Sequence, residues 1–103
     1  MKKNSKNKPA ITHRARLLFK GRVQGVGFRY TVEQTALEIG LLGWVKNLPD
    51  NQVEAVCEGT KENIELLIDK IKESALGSNI KKIDCDWQKP TQEFRDFSIE
   101  YYY

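Results

Sequence analysis

Apolar and polar positions alternate in five short stretches of this chain and recur at helical spacing in two longer ones. Residues 15–20, ARLLFK, read as a strand starting near Arg14. Residues 28–39, FRYTVEQTALEI, place Phe28, Val32, Ala36 and Ile39 on one helical face, with Glu33, Gln34 and Glu38 on the other. Gly40 is positioned to stop that helix as a left-handed cap. Residues 42–48, LGWVKNL, and 52–58, QVEAVCE, read as a hairpin whose Pro-Asp-Asn turn occupies 49–51. Val53, Ala55 and Cys57 share one face of the second of these strands. Thr60 is an N-cap for a second helix with an apolar stripe of Ile64, Leu67, Ile68, Ile71 and Ala75, broken by Gly-Ser-Asn at 77–79. Residues 80–87, IKKIDCDW, form a fourth strand with Ile83, Cys85 and Trp87 on one face, and FRDFSIEYYY, 94–103, a fifth.

The order β-α-β-β-α-β, with a further strand near the end, predicts an α+β fold of the ferredoxin-like (split β-α-β) kind. In this two-layer sandwich two helices cover one face of a mainly antiparallel sheet. The 103 residues suit a single domain, expected at 13–103 behind a basic, disordered tail at 1–12. The formal net charge is +3, but the first ten residues alone hold four lysines and no acid, so the rest of the chain carries −1. A nucleic-acid reader places its basic excess on the folded body, so no nucleic-acid partner is expected. No apolar run reaches the length of a membrane span, and the N-terminal stretch has no signal-like apolar segment, so a cytoplasmic protein with no membrane partner is expected. Cys57 and Cys85 form no CxxC pair and are expected to be buried free thiols in a reducing compartment. His13 is the single histidine. A metal site and a Cys–His or Ser–His dyad are therefore disfavoured.

The chemistry concentrates in GRVQGVGFRY, residues 21–30, between the first strand and the first helix. Glycine enters left-handed conformations without steric cost, which lets successive backbone N–H groups converge on one anion. A helix starting just beyond adds its own unpaired N–H groups, and Arg29 in its first turn offers a planar fork of donors. The nucleotide motifs GxxxxGK[ST] and GxGxxG both fail here: no Gly-Lys-Ser/Thr follows, and Tyr30 stands where a third glycine belongs. Glycines alone favour a plain tight turn over an anion cradle. Asn47, at the end of the second strand, has a carboxamide able to donate to and accept from a water, or simply to cap the proline turn.

GRVQGVGFR followed by GLLGWVKN resembles the acylphosphatase family, whose two segments read G-[RH]-V-Q-G-V-x-F-R and G-x-x-G-x-V-x-N. The similarity continues through VEAVCEG, IKKID and FSIEY, over about residues 14–101. It implies a ferredoxin-like fold and metal-independent hydrolysis of acyl phosphates to carboxylate and inorganic phosphate, with no cofactor expected. In that resemblance Arg29 binds the phosphoryl group and Asn47 positions the attacking water. The backbone N–H groups of Gln24, Gly25, Val26, Gly27 and Phe28 complete the phosphate cradle. The implied partners are a small acyl phosphate and, as product or inhibitor, inorganic phosphate or another oxyanion; a monomer is expected. Gly21, Val23, Gly43, Trp44 and Tyr101 fit the pattern as turn, packing and sheet residues. Asn51 stands where relatives often have glycine, and asparagine tolerates the left-handed turn. One alternative is a non-catalytic acyl- or carbamoyl-phosphate-binding module, since the domain also resembles the N-terminal part of a hydrogenase-maturation carbamoyltransferase. That protein's zinc-finger-like cysteine pairs are missing, which favours a stand-alone enzyme. An RNA-binding sheet shares the strand order but needs aromatic residues on two central strands, which RLLFKG and VEAVCEG lack.

Overall fold

The computed structural model describes residues 10–101. Its elements are β1 (His13–Gly21), α1 (Phe28–Ile39), β2 (Leu42–Asn47), β3 (Val53–Gly59), α2 (Lys61–Glu73), a 3₁₀ turn at Gly77–Asn79, β4 (Ile80–Gln88) and β5 (Phe97–Glu100). The expected tail falls mainly on residues 1–9, outside the described residues; Thr12 N–H already donates to the Gly59 carbonyl at 3.0 Å.

The strands form one sheet in the order β4-β1-β3-β2-β5, antiparallel throughout except for the parallel β2–β5 pair. Both helices pack on one face, which gives the ferredoxin-like sandwich expected from the element order. Alternation fixes that face: Ala15, Leu17 and Phe19 of β1 and Val53, Ala55 and Cys57 of β3 are fully buried under the helices. From above, α1 contributes Phe28, Val32 and Ala36, and α2 contributes Ile64, Leu67 and Ile71. Each of the Leu, Ile, Val and Phe side chains among them contributes about 1.5–3 kcal/mol on burial. Thr60 caps α2 as expected, its hydroxyl accepting from Asn63 N–H at 3.0 Å, and Gly40 ends α1 with φ 95°.

Three expectations need correction. Cys85 is exposed, not buried. Alternation put it on the helix-facing side, opposite Leu17, but β4 is an edge strand and Cys85 opens into a hollow between it and Ile68 and Lys72 of α2. Helix α2 stops at Glu73, where Ser74 turns extended, so Ala75 is exposed and outside the stripe. The last strand spans only Phe97–Glu100, because Thr91 and Gln92 before it are drawn onto the opposite, helix-free face of the sheet. Tyr102 and Tyr103, included in the expected strand, lie outside the described residues.

That helix-free face is polar. Its central strands present Arg14, Arg16, Leu18 and Lys20 from β1 and Glu54, Val56 and Glu58 from β3, with no aromatic platform. Glu58 is fully buried there by the segment joining β4 to β5. It accepts from Arg14 Nη1 (2.9 Å), Thr91 N–H (2.7 Å), Thr91 hydroxyl (3.2 Å) and Gln92 N–H (2.9 Å).

Strand direction sets where the chemistry gathers. β1 and β2 both run antiparallel to β3, and β5 runs parallel to β2. The C-terminal ends of β1, β2 and β5 therefore meet at one end of the sheet, bringing together the loop after Gly21, Asn47 and Tyr101.

Candidate functional site

The loop leaving β1 is strung between fixed points. A register shift at Lys20–Gly21 ends the β1–β4 pairing, and Arg22 N–H donates to the Asn79 carbonyl at 2.9 Å. Val23 and Phe28, each 1% exposed, sink into the core on either side of residues 24–27. Phe28 packs edge-on against Phe19, ring centroids 5.0 Å apart.

Between these anchors Gly25 (φ 77°) and Gly27 (φ 80°) are both left-handed. A Cβ at either would meet nothing within 4 Å, so glycine is needed there for its backbone conformation and not for space. Gly27 is also the N-cap of α1 and supplies no side chain to its free donors. The first amide of the helix with a partner is Thr31, which donates to Gly27 O at 3.1 Å. Among the described residues, no backbone N–H from Val23 to Tyr30 has an acceptor in the protein. A run of unpartnered donors with alternating left-handed residues, at the positive end of a helix, has the geometry of an anion-binding concavity.

Arg29 projects from the first turn of α1. Its guanidinium lies over the Tyr101 ring, 5.2 Å from the centroid. Asn47, the last residue of β2, pairs with Val53 across the hairpin. Its Oδ1 is buried and accepts no hydrogen bond, the single such side-chain atom among the described residues.

These groups line one cleft of about 240 Å³. It brings together Gly25, Gly27, Phe28, Arg29 and Asn47 of the expected set. Gln24 and Val26 belong to the loop but do not line the cleft: the Gln24 side chain turns toward the hairpin, and Val26 is exposed. The remaining wall comes from Val23, Tyr30, Ile99 and Tyr101. No acid lines it, so the cleft carries one positive charge with no neighbouring carboxylate to compete for it. Three larger hollows, about 480 Å³ around Gly40 and Phe97, about 470 Å³ beside β4 and about 260 Å³ beside Arg22 and Asn51, contain no unpartnered buried polar side chain. Among the described residues no three His, Cys, Asp or Glu side chains cluster as a metal site would require.

Sequence reasoning took Tyr101 for a sheet contact and overlooked Tyr30 and Ile99 as cleft residues. The Gln24 side chain was likewise missed. Only its N–H had been assigned a role, and nothing local signals a bond to a hairpin more than twenty residues away.

The acylphosphatase family model matches residues 15–99. The chain belongs to the acylphosphatase family. An acylphosphatase from Acaryochloris marina is 43% identical over 79 residues, covering 77% of this chain and 84% of the relative. The crystal structure of acylphosphatase from Bacillus subtilis superposes with a TM-score of 0.80 at 35% identity, over 86% of this chain and 99% of that one. Full-length HypF, solved in a phosphate- and nucleotide-bound form, matches with a TM-score of 0.75 at 30% identity. That match covers 89% of this chain but only 12% of HypF. The acylphosphatase fold thus occurs both as nearly a whole chain and as a small part of a larger one.

Proposed function

We propose that this acylphosphatase-family chain hydrolyses acyl phosphates in the cleft between Arg29 and Asn47. The observation that carries the reading is the buried, unpartnered Asn47 Oδ1, held in the same cleft as Arg29 and the free N–H run. An acceptor without a partner in a polar cleft is satisfied by a donor from solvent or substrate, and an attacking water is such a donor.

The loop amides and Arg29 bind the three non-bridging phosphoryl oxygens. Asn47 Oδ1 accepts one hydrogen bond from the water and aims its oxygen at phosphorus. The water oxygen forms a bond to phosphorus as the bridging P–O bond breaks, and that electron pair leaves with the carboxylate. The water's proton passes to a phosphoryl oxygen. A carboxylate departs without protonation, so the reaction needs neither a general acid nor a nucleophilic side chain. Positioning and charge stabilisation carry the rate, as in phosphoryl transfer generally. The phosphoryl group is common to all acyl phosphates, so the reading extends to acyl phosphates as a class.

The test is hydrolysis of benzoyl phosphate followed by ultraviolet absorbance in the presence of chelator, with Arg29→Gln and Asn47→Ala beside the wild type and folding checked by circular dichroism. Loss of one preorganised donor costs about 10²–10³ in kcat, and loss of Arg29 removes a charge as well. Active wild type with both folded variants reduced by at least that factor supports the mechanism. The likeness to HypF favours one second reading, a phosphate-binding accessory module. A folded wild type that binds phosphate but is inert supports that module instead.

A further inference from the structure

We propose that the Gln24 side chain is a positioning residue that holds the phosphate loop in register with Asn47. The inference rests on the hydrolytic reading above. Gln24 Nε2 donates to two carbonyls of the β2–β3 hairpin, Leu48 O and Gln52 O, both at 2.8 Å. Both carboxamide protons are used, and the two acceptors lie on opposite sides of the hairpin neck. Leu48 O belongs to the residue directly after Asn47. Gln52 O also accepts Leu48 N–H at 2.8 Å, so Gln24 joins the bond that closes the turn. Among the described residues, Gln24 has the one side chain between Arg22 and Gly27 that makes any hydrogen bond within the protein.

The two halves of the cleft come from different parts of the chain. The cradle and Arg29 lie on the β1–α1 segment and can bind phosphate by themselves. Asn47 lies at the end of β2. In-line attack needs both at once, and a misplacement of about 1 Å can cost 10²-fold in rate. Strand β3 separates β1 from β2 in the sheet, so no ladder bond joins them directly. Gln24 supplies the cross-tie at the end where they must meet. A residue that served only folding would lower stability without discriminating between binding and attack.

The experiment measures kcat and inhibition by inorganic phosphate for wild type, Gln24→Ala, Asn47→Ala and the double variant, with Gln24→Met as the length-matched apolar control. Gln24→Ala and Gln24→Met are expected to lower kcat about 10- to 100-fold while phosphate inhibition stays within about threefold. In the Asn47→Ala background, Gln24→Ala is expected to cost less than about threefold more, because its effect runs through the missing carboxamide. Unchanged kcat overturns the proposal, as does the same cost in both backgrounds or an equal loss of phosphate affinity. If neither Gln24 variant folds, Gln24 is a folding element and the proposal also fails. An inert wild type sinks the hydrolytic reading itself, and an Asn47→Ala variant as active as wild type removes Asn47 from the mechanism and this proposal with it. Those outcomes are visible before any Gln24 variant is read.

Discussion

Glu58→Gln is the perturbation whose cost can be worked most fully from the structure. The Glu58 side chain is fully buried, and its Arg14 partner is only 16% exposed, so solvent screens the pair little. Oε2 accepts three bonds and Oε1 one. A glutamine can place its oxygen at the Oε2 position and keep those three, but its NH₂ then faces the Gln92 N–H, donor against donor. One buried donor is left unsatisfied at about 1–3 kcal/mol, and the remaining bonds fall from charge-assisted to neutral strength, so the loss comes to about 3 kcal/mol. For a domain of this size that lowers Tm by about 10–25 °C. The pH dependence gives a second readout. Burial alone would raise the Glu58 carboxyl, but the hydrogen bonds from Thr91 N–H, Arg14, Gln92 N–H and the Thr91 hydroxyl outweigh it and hold the group below its ordinary value of 4.5. A carboxyl depressed in the folded state stabilises fully above its unfolded pKa, and that contribution is lost as pH falls through the folded value. Urea titrations of both proteins from pH 7 to pH 3 are therefore expected to show a constant gap at neutral pH that closes on acidification. A gap below about 1 kcal/mol at pH 7, or one that widens with acid, refutes the reasoning.

Three further outcomes follow from the same geometry. Gly27→Val is expected to lose phosphate affinity and stability because a β-branched residue at φ 80° is strained by about 1–2 kcal/mol, while Gly27→Asn keeps most of both; phosphate titration with thermal melting checks it. Tyr101→Leu removes the ring beneath Arg29 and is expected to raise the inhibition constant for inorganic phosphate about two- to fivefold, the equivalent of an exposed cation–π contact. In the native protein, Cys85 is expected to react with a thiol-specific disulfide reagent, increasingly so at alkaline pH because burial, Asp86 and Glu65 push its thiol up; Cys57 is expected to react only on unfolding. Two equally fast thiols in the native state contradict the edge-strand account.

The parts legible in the sequence are those whose causes are local. Helix α1 begins and ends where its glycines turn left-handed, and both glycines stand next to the apolar-periodic run they bound. Thr60 caps α2 because a side-chain acceptor three residues before Asn63 is a purely local geometry. Cys85 shows the limit. Alternation gives its face correctly, but whether anything covers that face depends on β4 being outermost, which is decided by pairing across the whole sheet. Glu58, Gln24 and Tyr101 are illegible for the same reason. Their partners lie 28 to 72 residues away at the farthest, in Arg14 and Gln92, Gln52, and Arg29 respectively.

Strand direction explains why Tyr101 belongs to the cleft and why Gln24 stands beside it. Because β1, β2 and β5 run the same way, any residue just past their C-terminal ends is delivered to one corner of the molecule. The corner needs one contribution from each: a donor-lined loop after β1, a carboxamide closing β2, and an aromatic ring following β5 to hold the arginine. Arg29 and Asn47 sit on regular elements, Arg29 in a helix whose first turn is buried through Phe28, and Asn47 in a strand paired on both sides along most of its length. The glycine loop is irregular, but it is pinned at Arg22, Val23, Gln24 and Phe28. On the proposed mechanism the site works by positioning, and a loose loop would misalign the water with no acid, base or nucleophile to make up for it. The density of anchors around four residues is what such chemistry requires.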